Sequence, residues 1–407
     1  MRIYSAALTP TGQLEERSLL TGFAFTERYI IDGPNTQTPY DFKSFLGNEL
    51  NKKQLCDLLL KVWGSNEAAS RIERSMRAVV CVDGKSYDIT STSGKVQTSE
   101  IYALRSNQEE TDSRIVLYLH QAVKWGYKSC VVRTPDTDIL MILLYHASKS
   151  NLSIYLDHGS GKHRVQVNVT ELSESLGPDY CSTLLGFYVF TGEDCTSAFK
   201  GKGKVNPLKK LQKNPKLHNA FKQLGGDWLV TNELQQEMEC FTCIMYGEAR
   251  MTSVDAVRAK MLRNMVGADK VLDSKSKVDL ECLPPPKVCL IPHVQRVNYR
   301  VACYKRADEA IIESPKPHDP GMGWEKTGEE EVLEPIWTIG PILPPSLVEV
   351  LAQRAVSEEQ VVDKVVDSKS NNLSVNEEGE YEPNDEDEEL DMEEIDFEDL
   401  FSYDEDE

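Results

Sequence analysis

Residues 129–145 read SCVVRTPDTDILMILLY, and this stretch decides the fold class. Its first part, Ser129 to Arg133, is a short apolar run that predicts a buried strand. A polar turn from Thr134 to Asp138 follows, and the residues from Ile139 to Ser148 predict a helix. Strand, turn and helix in this order are typical of an α/β fold with a mostly parallel sheet.

The same alternation continues on both sides of this stretch. Apolar spacing and turn residues predict strands at 152–157 and 165–169 and helices at 109–125, from Thr170, at 181–190 and at 286–306. Nearer the N-terminus, residues 40–63 have helical spacing, and Asp83-Gly84 predicts a hairpin between strands at 76–82 and 86–90. The pattern favours an α/β sandwich around a mostly parallel central sheet.

The chain divides into four predicted parts. Residues 1–104 hold a helix and a short hairpin, and residues 105–306 form the α/β core. Residues 307–366 form a Pro/Gly/Glu-rich extension, with an extended segment at 314–345 and a helix at 347–363. Residues 367–407 form a disordered acidic tail.

The net charge of −21 belongs almost wholly to that tail. Residues 371–407 contain 19 Asp and Glu and no Lys or Arg, whereas the rest of the chain holds 47 acidic and 45 basic residues. A run of one charge sign repels itself and stays solvated. The tail is either a plain solubilising end, or a segment that binds a basic protein partner or screens a basic groove from phosphate.

Composition also limits the class of protein. No run of 18 apolar residues and no secretory signal is present, so we expect no membrane partner. Ten cysteines are spread thinly, which favours reduced thiols and an intracellular location. The single C-x-x-C, Cys240 to Cys243, is better explained by buried thiols than by a metal site.

Carboxylates stand at the ends of three predicted elements. Taken singly, each can be structural, because acids favour the first turn of a helix and Asp caps helices. If the sheet brings them together, like charges about 4 Å apart repel by about 1 to 4 kcal/mol per pair, so protons or cations must neutralise them. Mg²⁺ or Mn²⁺, in a pair of ions, would suit phosphodiester hydrolysis. The candidate ligands are Glu110, Asp112, Asp136, Asp138 and Asp194.

A lysine–glycine run follows Asp194. Residues 198–204 read AFKGKGK, with Lys200, Lys202 and Lys204 alternating with Gly201 and Gly203. Glycines let backbone amides approach a phosphate, and the lysines add positive charge. The run is either a solvated basic loop or a turn that binds nucleic acid, and its position beside Asp194 favours the second interpretation.

Three motifs resemble those of a known family. They are QEETDSRI at 108–115, VVRTPDTDIL at 131–140 and FTGEDCTSAFKGKGK at 190–204. They are similar to E-E-A-D-T-R, V-R-x-x-D-T-D-V and F-T-G-C-D-T-T-S-x-F of a PIN-like family of often multicopy animal proteins linked to mobile elements. The order of the acids also resembles the flap endonuclease superfamily.

The resemblance implies a PIN-like three-layer sandwich and a role for each residue by position. Glu110 and Asp112 match the superfamily's paired acids, Asp136 and Asp138 match its D-x-D motif, and Asp194 matches its lone Asp. The turn around Gly201 and Gly203 matches the turn that grips the DNA backbone. The strong matches cover residues 105 to 210.

Two departures from the superfamily affect the expected activity. No counterpart of its first strand and that strand's catalytic Asp precedes residue 105, so we expect an N-terminally incomplete core. Asp32, in Y-I-I-D-G, looks like a strand end, but the resemblance puts that segment after the first strand. Many relatives also carry a cysteine-rich C-terminal segment, whereas this chain has no cysteine after Cys303.

Three hypotheses follow. The first is a nuclear, metal-dependent nuclease that acts on nucleic acid, DNA in particular, through the five carboxylates and the lysine–glycine run. The second is a truncated, catalytically impaired PIN-like module that binds nucleic acid or protein without cleavage. The third is an unrelated α/β domain whose carboxylates never converge.

Overall fold

A computed structural model describes residues 28–72, 76–108, 111–159, 164–266, 279–328 and 332–340, together with the backbone of residues 2–4. Its main sheet has four strands in the order β1-β5-β6-β7. These strands are β1 (Arg2–Tyr4), β5 (Ser129–Thr134), β6 (Ser153–His158) and β7 (Val165–Asn168). The β1/β5 and β5/β6 pairs are parallel and the β6/β7 pair is antiparallel. The predicted mixed α/β class is therefore confirmed.

Strand β1 differs from what the sequence led us to expect. Its three residues lie parallel to β5, with Arg2 opposite Val131 and Tyr4 opposite Arg133. A strand therefore joins the sheet beside β5, and the N-terminally incomplete PIN-like core stays a prediction. The resemblance also led us to expect that the catalytic Asp of the superfamily's first strand has no counterpart. Residues 2–4 are Arg, Ile and Tyr, none of which carries a carboxylate. Asp32 lies outside any strand, and its backbone N–H donates to the Thr36 hydroxyl.

Two helices and a second sheet lie within residues 42–100. The predicted helix at 40–63 is two helices, α1 (Phe42–Gly47) and α2 (Glu49–Trp63), because Asn48 ends the first and caps the second. The predicted hairpin is confirmed as β2 (Arg77–Val82) and β3 (Lys85–Thr92), with positive φ at both turn residues, Asp83 and Gly84. A third antiparallel strand, β4 (Lys95–Glu100), was not predicted because its sequence, KVQTSE, is polar.

Helices pack against β6 and β7 of the main sheet, and further helices follow one another through the described residues between 205 and 305. Those predicted from the sequence are α3 (Thr111–Lys124), α4 (Thr137–Ala147), α5 (Val169–Leu176), α6 (Pro178–Phe190) and α11 (Lys287–Lys305). Four others were not predicted, namely α7 (Val205–Gln212), α8 (Pro215–Gln223), α9 (Asn232–Met245) and α10 (Val254–Val266). In the part of the chain that the structure describes, none of the helices is long and apolar enough to cross a membrane.

The segment expected to be extended at 314–345 contains a small hairpin. Strands β8 (Trp324–Thr327) and β9 (Val332–Pro335) pair antiparallel. The helix expected at 347–363 and the acidic tail both lie outside the described residues. The predicted domain boundaries and the three-layer PIN-like arrangement stay predictions.

The core between α6, α8 and α9 depends on one close backbone approach. Phe187 of α6 packs edge-on against Phe221 and Phe241, with ring centroids 5.9 and 6.2 Å away. A Cβ at Gly186 would lie 2.4 Å from the carbonyl oxygen of Phe221, which no relaxation of a side chain can relieve. Glycine at 186 therefore sets how closely α6 and α8 approach.

Replacing Gly186 by Ala should destabilise the protein. Overpacking a core costs about 1 to 3 kcal/mol, and the better helix propensity of Ala offsets only about 1 kcal/mol. Urea unfolding should therefore show a net loss of up to about 2 kcal/mol. The matched control is Gly33→Ala, where a Cβ meets no atom within 4 Å. Equal stability of the Gly186→Ala variant and the wild type would contradict the close approach.

Candidate functional site

Asp136 and Asp138 lie where β5 leads into α4. Asp136 is the N-cap of α4, and its carboxylate accepts a hydrogen bond from the backbone N–H of Asp138 at 3.0 Å. The backbone N–H of Asp136 in turn donates to the Thr134 hydroxyl at 3.0 Å. Asp136 thus has the capping role that the simpler interpretation of the motif gives it. Its side chain is half-buried, whereas Asp138 is only 6% exposed.

A buried hydrogen bond connects Asp138 to α6. The hydroxyl of Tyr188 donates to an oxygen of the Asp138 carboxyl group at 2.6 Å. Tyr188 lies in the last turns of α6, five residues before Glu193. The D-x-D segment and the segment that follows α6 therefore meet at the same end of the main sheet.

Two adjacent acids follow α6 in very different environments. Gly192 has φ of 116°, and a Cβ there would lie 2.7 Å from Cα of Ala198, so glycine is required at this turn. The turn directs Glu193 inward and leaves Asp194 exposed. Glu193 is 3.3 Å from Nε of Arg300 on α11, and the two side chains are 0% and 7% exposed.

Glu193 is a site residue that the sequence did not identify. The resemblance matched Asp194 to the superfamily's lone Asp and gave Glu193 no role. Arg300 could have pointed to it, because this arginine lies next to Val301 on the apolar face of α11 and a charge there needs a buried partner.

The four carboxylates act on one another electrostatically. Burial, followed by the negative charges of Glu193, Asp136 and Asp194, raises the pKa of Asp138 to about 8. The Tyr188 hydrogen bond opposes this shift. Two of the three acidic segments predicted to converge are therefore brought together, and Asp136, Asp138, Glu193 and Asp194 form what we call the acidic centre.

The third segment lies on the Arg300 side of the acidic centre. Asp112 is half-buried in the first turn of α3, and Glu110 lies outside the described residues. Ser113, next to Asp112, lines the same cavity as Arg300, which contacts Glu193. The start of α3 therefore lies at the cavity that Arg300 also lines.

The described side chains do not by themselves make a metal site. Among the described residues, no three His, Cys, Asp or Glu side chains are grouped closely enough to hold a metal ion. Tyr188 contacts Asp138 and Arg300 contacts Glu193, so the two buried acids of the centre have protein partners. A complete ligand set for Mg²⁺ or Mn²⁺ would require the acidic centre to rearrange or to recruit Glu110.

The three lysines of the lysine–glycine run have different surroundings. Lys204 lies at the acidic centre, where its Nζ donates to the Gly192 carbonyl at 2.7 Å and is 4.6 Å from the Tyr188 ring centroid. Nζ of Lys202 is 4.2 Å from the Tyr246 ring centroid, and burial, aided by the charge of Lys210, lowers its pKa. Lys200 is exposed and forms ion pairs with Asp279, at 3.1 Å, and with Glu281.

The glycines of this run form a tight turn. Gly201 and Gly203 have φ of 68° and 52°, values that favour glycine, and the backbone N–H of Lys202 donates to the Phe199 carbonyl at 3.0 Å. The turn leads directly into α7, whose last turn carries Lys209 and Lys210. The two glycines therefore allow this tight turn, and the lysine side chains have separate partners.

Comparison with known proteins does not give this site a function. Comparisons with protein-family models, with curated proteins and with solved structures find no match to the chain. The resemblance to PIN-like proteins therefore stays a prediction, and function has to be inferred from the chain's own residues.

Proposed function

We propose that this chain is a PIN-like, flap-endonuclease-like protein that hydrolyses phosphodiester bonds of nucleic acid with Mg²⁺ or Mn²⁺ at the acidic centre. The observation that supports it most is the convergence of acids from two distant segments. Asp136 and Asp138 follow β5, whereas Glu193 and Asp194 follow α6, and the Tyr188–Asp138 hydrogen bond joins the two segments at 2.6 Å. Carboxylates that serve only as helix caps or surface charges would not be expected to converge from two distant segments.

The electrostatics of the acidic centre favour a bound cation. Like charges placed close together in a partly buried site repel, and hard divalent ions relieve this repulsion by binding carboxylate oxygens. Asp136 and Asp194 are the members that reach solvent. They are therefore the members that a cation and a phosphate would meet first.

The nearby lysines support a phosphate-bearing partner. Lys204 places a positive charge beside Tyr188, next to the acidic centre. Lys200 is half-exposed and paired with exposed acids, and surface ion pairs of this kind are weak, so phosphate can replace these partners. A nucleic-acid backbone that binds residues 200–204 would reach Lys204 beside the acidic centre, and such a substrate favours a nuclear location.

Binding without cleavage is the second candidate, and specific contacts favour it. Tyr188 and Arg300 contact the two buried carboxylates that a cation would need. Residues 2–4, in the strand beside β5, supply no acid of the kind that the superfamily's first strand carries. A basic partner for the acidic tail belongs with this candidate, although the tail lies outside the described residues.

Cleavage of labelled nucleic acid tests the proposal. Single-stranded, duplex and flapped DNA, and single-stranded RNA, would be incubated with the full chain and Mn²⁺ or Mg²⁺. We expect cleavage that needs the cation and falls by about 100-fold or more in Asp136→Asn/Asp138→Asn. The matched control is Glu171→Gln/Glu174→Gln, which removes two exposed charges from α5.

Two results would count against the nuclease. Cleavage that survives in Asp136→Asn/Asp138→Asn would mean that it comes from another site. Binding of nucleic acid with no cleavage under any metal condition would favour the second candidate.

A further inference from the structure

Four cations lie together where three helices end, at the end of α4 opposite to Asp136. Lys149 follows α4 in the connection to β6, Lys222 lies in the last turn of α8, and Lys305 and Arg306 lie at the end of α11. The length of α4, roughly 16 Å for its 11 residues, separates them from the acidic centre. We call these four residues the basic cluster.

Specific contacts hold the basic cluster together. Nζ of Lys149 lies 4.1 Å from the ring centroid of Tyr145, and Nζ of Lys305 lies 5.7 Å from the same centroid. The Lys305 ammonium group also donates to the Lys222 carbonyl at 2.7 Å. Arg306 donates to two backbone carbonyls directly after α8, at 2.9 and 2.8 Å. One aromatic ring and three backbone carbonyls therefore position three of the four cations.

The basic cluster carries more positive charge than its surroundings neutralise. Within the described ranges its one ion pair joins Lys222 to Asp179, at 2.6 Å, and 80% of the Asp179 side chain is exposed. The C-terminal ends of the three helices add only about half a negative charge each. Burial, followed by the positive charges of Lys149, Arg306 and Lys222, lowers the pKa of Lys305 to about 8. A net positive charge therefore remains, which an anion can neutralise.

Two lysines of the basic cluster have donors left for such an anion. An ammonium group has three N–H donors, of which Lys305 uses one on the Lys222 carbonyl, whereas the Lys149 ammonium group rests on the Tyr145 ring. Lys149 is exposed and Lys305 is partly exposed, so a ligand can reach both. A phosphate monoester carries about 1.5 to 2 negative charges at pH 7 and three acceptor oxygens. It can therefore accept from both ammonium groups, and it neutralises more charge than a carboxylate does.

We infer that the basic cluster binds a phosphate group, with Lys149 and Lys305 as its hydrogen-bond donors. Lys222 and Arg306 add positive charge beside them. The phosphate belongs either to a small phosphorylated molecule or to a nucleic-acid strand. The inference goes beyond the proposed function, because the basic cluster lies at the other end of α4 and binding there does not need the acidic centre.

Labelling of the full chain with pyridoxal 5′-phosphate tests the inference. The neutral amine of Lys305 adds to the aldehyde of this probe and water leaves, and borohydride reduces the resulting imine to a stable secondary amine. Mass spectrometry of peptides then gives the extent of labelling at each lysine. Pyridoxal, which lacks the phosphate, reports the reactivity of the amine alone. The ratio of the two extents, compared with that at Lys95, an exposed lysine at the start of β4, therefore measures what the phosphate contributes.

We expect the ratio at Lys305 to exceed that at Lys95 by about fivefold or more, as for a phosphate held by two partly exposed cations. Lys149→Gln removes one of the two donors and should lower the ratio at Lys305 by about threefold. The matched control is Lys61→Gln, because Lys61 is an exposed lysine in the last turn of α2. This variant and Asp136→Asn/Asp138→Asn should both be labelled as the wild type is, which separates the basic cluster from the nuclease proposal.

Two competitors distinguish the sources of the phosphate. Protection of Lys305 by inorganic pyrophosphate alone would identify a small phosphorylated molecule. Protection by a single-stranded oligonucleotide at a lower concentration of phosphate groups would identify a nucleic-acid strand. The inference is overturned if neither competitor protects Lys305, if its ratio is no higher than that at Lys95, or if Lys149→Gln leaves the ratio unchanged.

Discussion

Replacing Asp138 by Asn should stabilise the metal-free protein at pH 7, by up to about 4 kcal/mol. Burial and three neighbouring carboxylates raise the pKa of Asp138 to about 8, from 3.8 in the unfolded chain. At pH 7 the folded protein must therefore take up a proton that the unfolded chain has lost, and this opposes folding. Asparagine carries no charge, and its side-chain oxygen can still accept from the Tyr188 hydroxyl.

The stabilisation by Asp138→Asn should increase as the pH rises. As pH rises from about 4 to about 8, the unfolded chain releases the Asp138 proton while the folded protein keeps it, so stability falls across this window. Urea unfolding with a chelator at pH 5 and pH 8 should show a larger gain for Asp138→Asn at pH 8. Glu174→Gln is the exposed control. A loss of stability in Asp138→Asn, or an unchanged pH dependence, would contradict the buried acidic centre.

Replacing Arg300 by Met should destabilise the protein by about 3 to 5 kcal/mol. Arg300 and Glu193 form a buried ion pair with 7% and 0% of their side chains exposed. Removing the arginine leaves the Glu193 charge buried close to Asp138, where burial and like charge both oppose it. The substitution also removes the hydrogen bond that Arg300 donates to the Tyr304 hydroxyl.

A second substitution separates the buried charge from lost packing. Arg300→Met/Glu193→Gln removes both charges, so it should recover most of the stability in urea unfolding. The matched control is Arg105→Met, because the ion pair of Arg105 with Glu100 is half-exposed and its loss should change the stability much less. If the single and double variants were equally unstable, the ion pair would not be the cause.

Local sequence signals explain why the centre of the fold could be predicted. The strand β5, the turn and the helix α4 depend on a short apolar run, a capping Asp136 and a long apolar helix, all within 129–147. Helices α7 and α8 were missed because lysines and two prolines obscure their apolar faces, which only Leu208, Leu211 and Phe221 mark clearly. Their burial depends on contacts with α6 and α9 that lie far away in sequence.

The residues of the site also fall into two groups. Some can be identified from their local sequence, whereas the surroundings of others depend on residues far away in the chain. Asp136 and Asp138 were identified because their motif follows an apolar strand directly. Nothing local distinguishes Glu193 from Asp194, since Glu193 is buried only because Arg300 approaches it from a helix 107 residues later in the sequence. The acidic partners of Lys200 are equally distant, at Asp279 and Glu281.

A Mn²⁺ titration tests most directly whether the acidic centre binds a cation. The 19 acids of the tail also attract Mn²⁺, so calorimetry would be made on the full chain and on the chain ending at Ser370. We expect both to bind up to two ions at micromolar to millimolar concentrations, and Asp136→Asn/Asp138→Asn to lose this binding in the shorter chain. Absence of binding in the chain ending at Ser370, or binding that persists in its Asp136→Asn/Asp138→Asn variant, would contradict a cation site at the acidic centre.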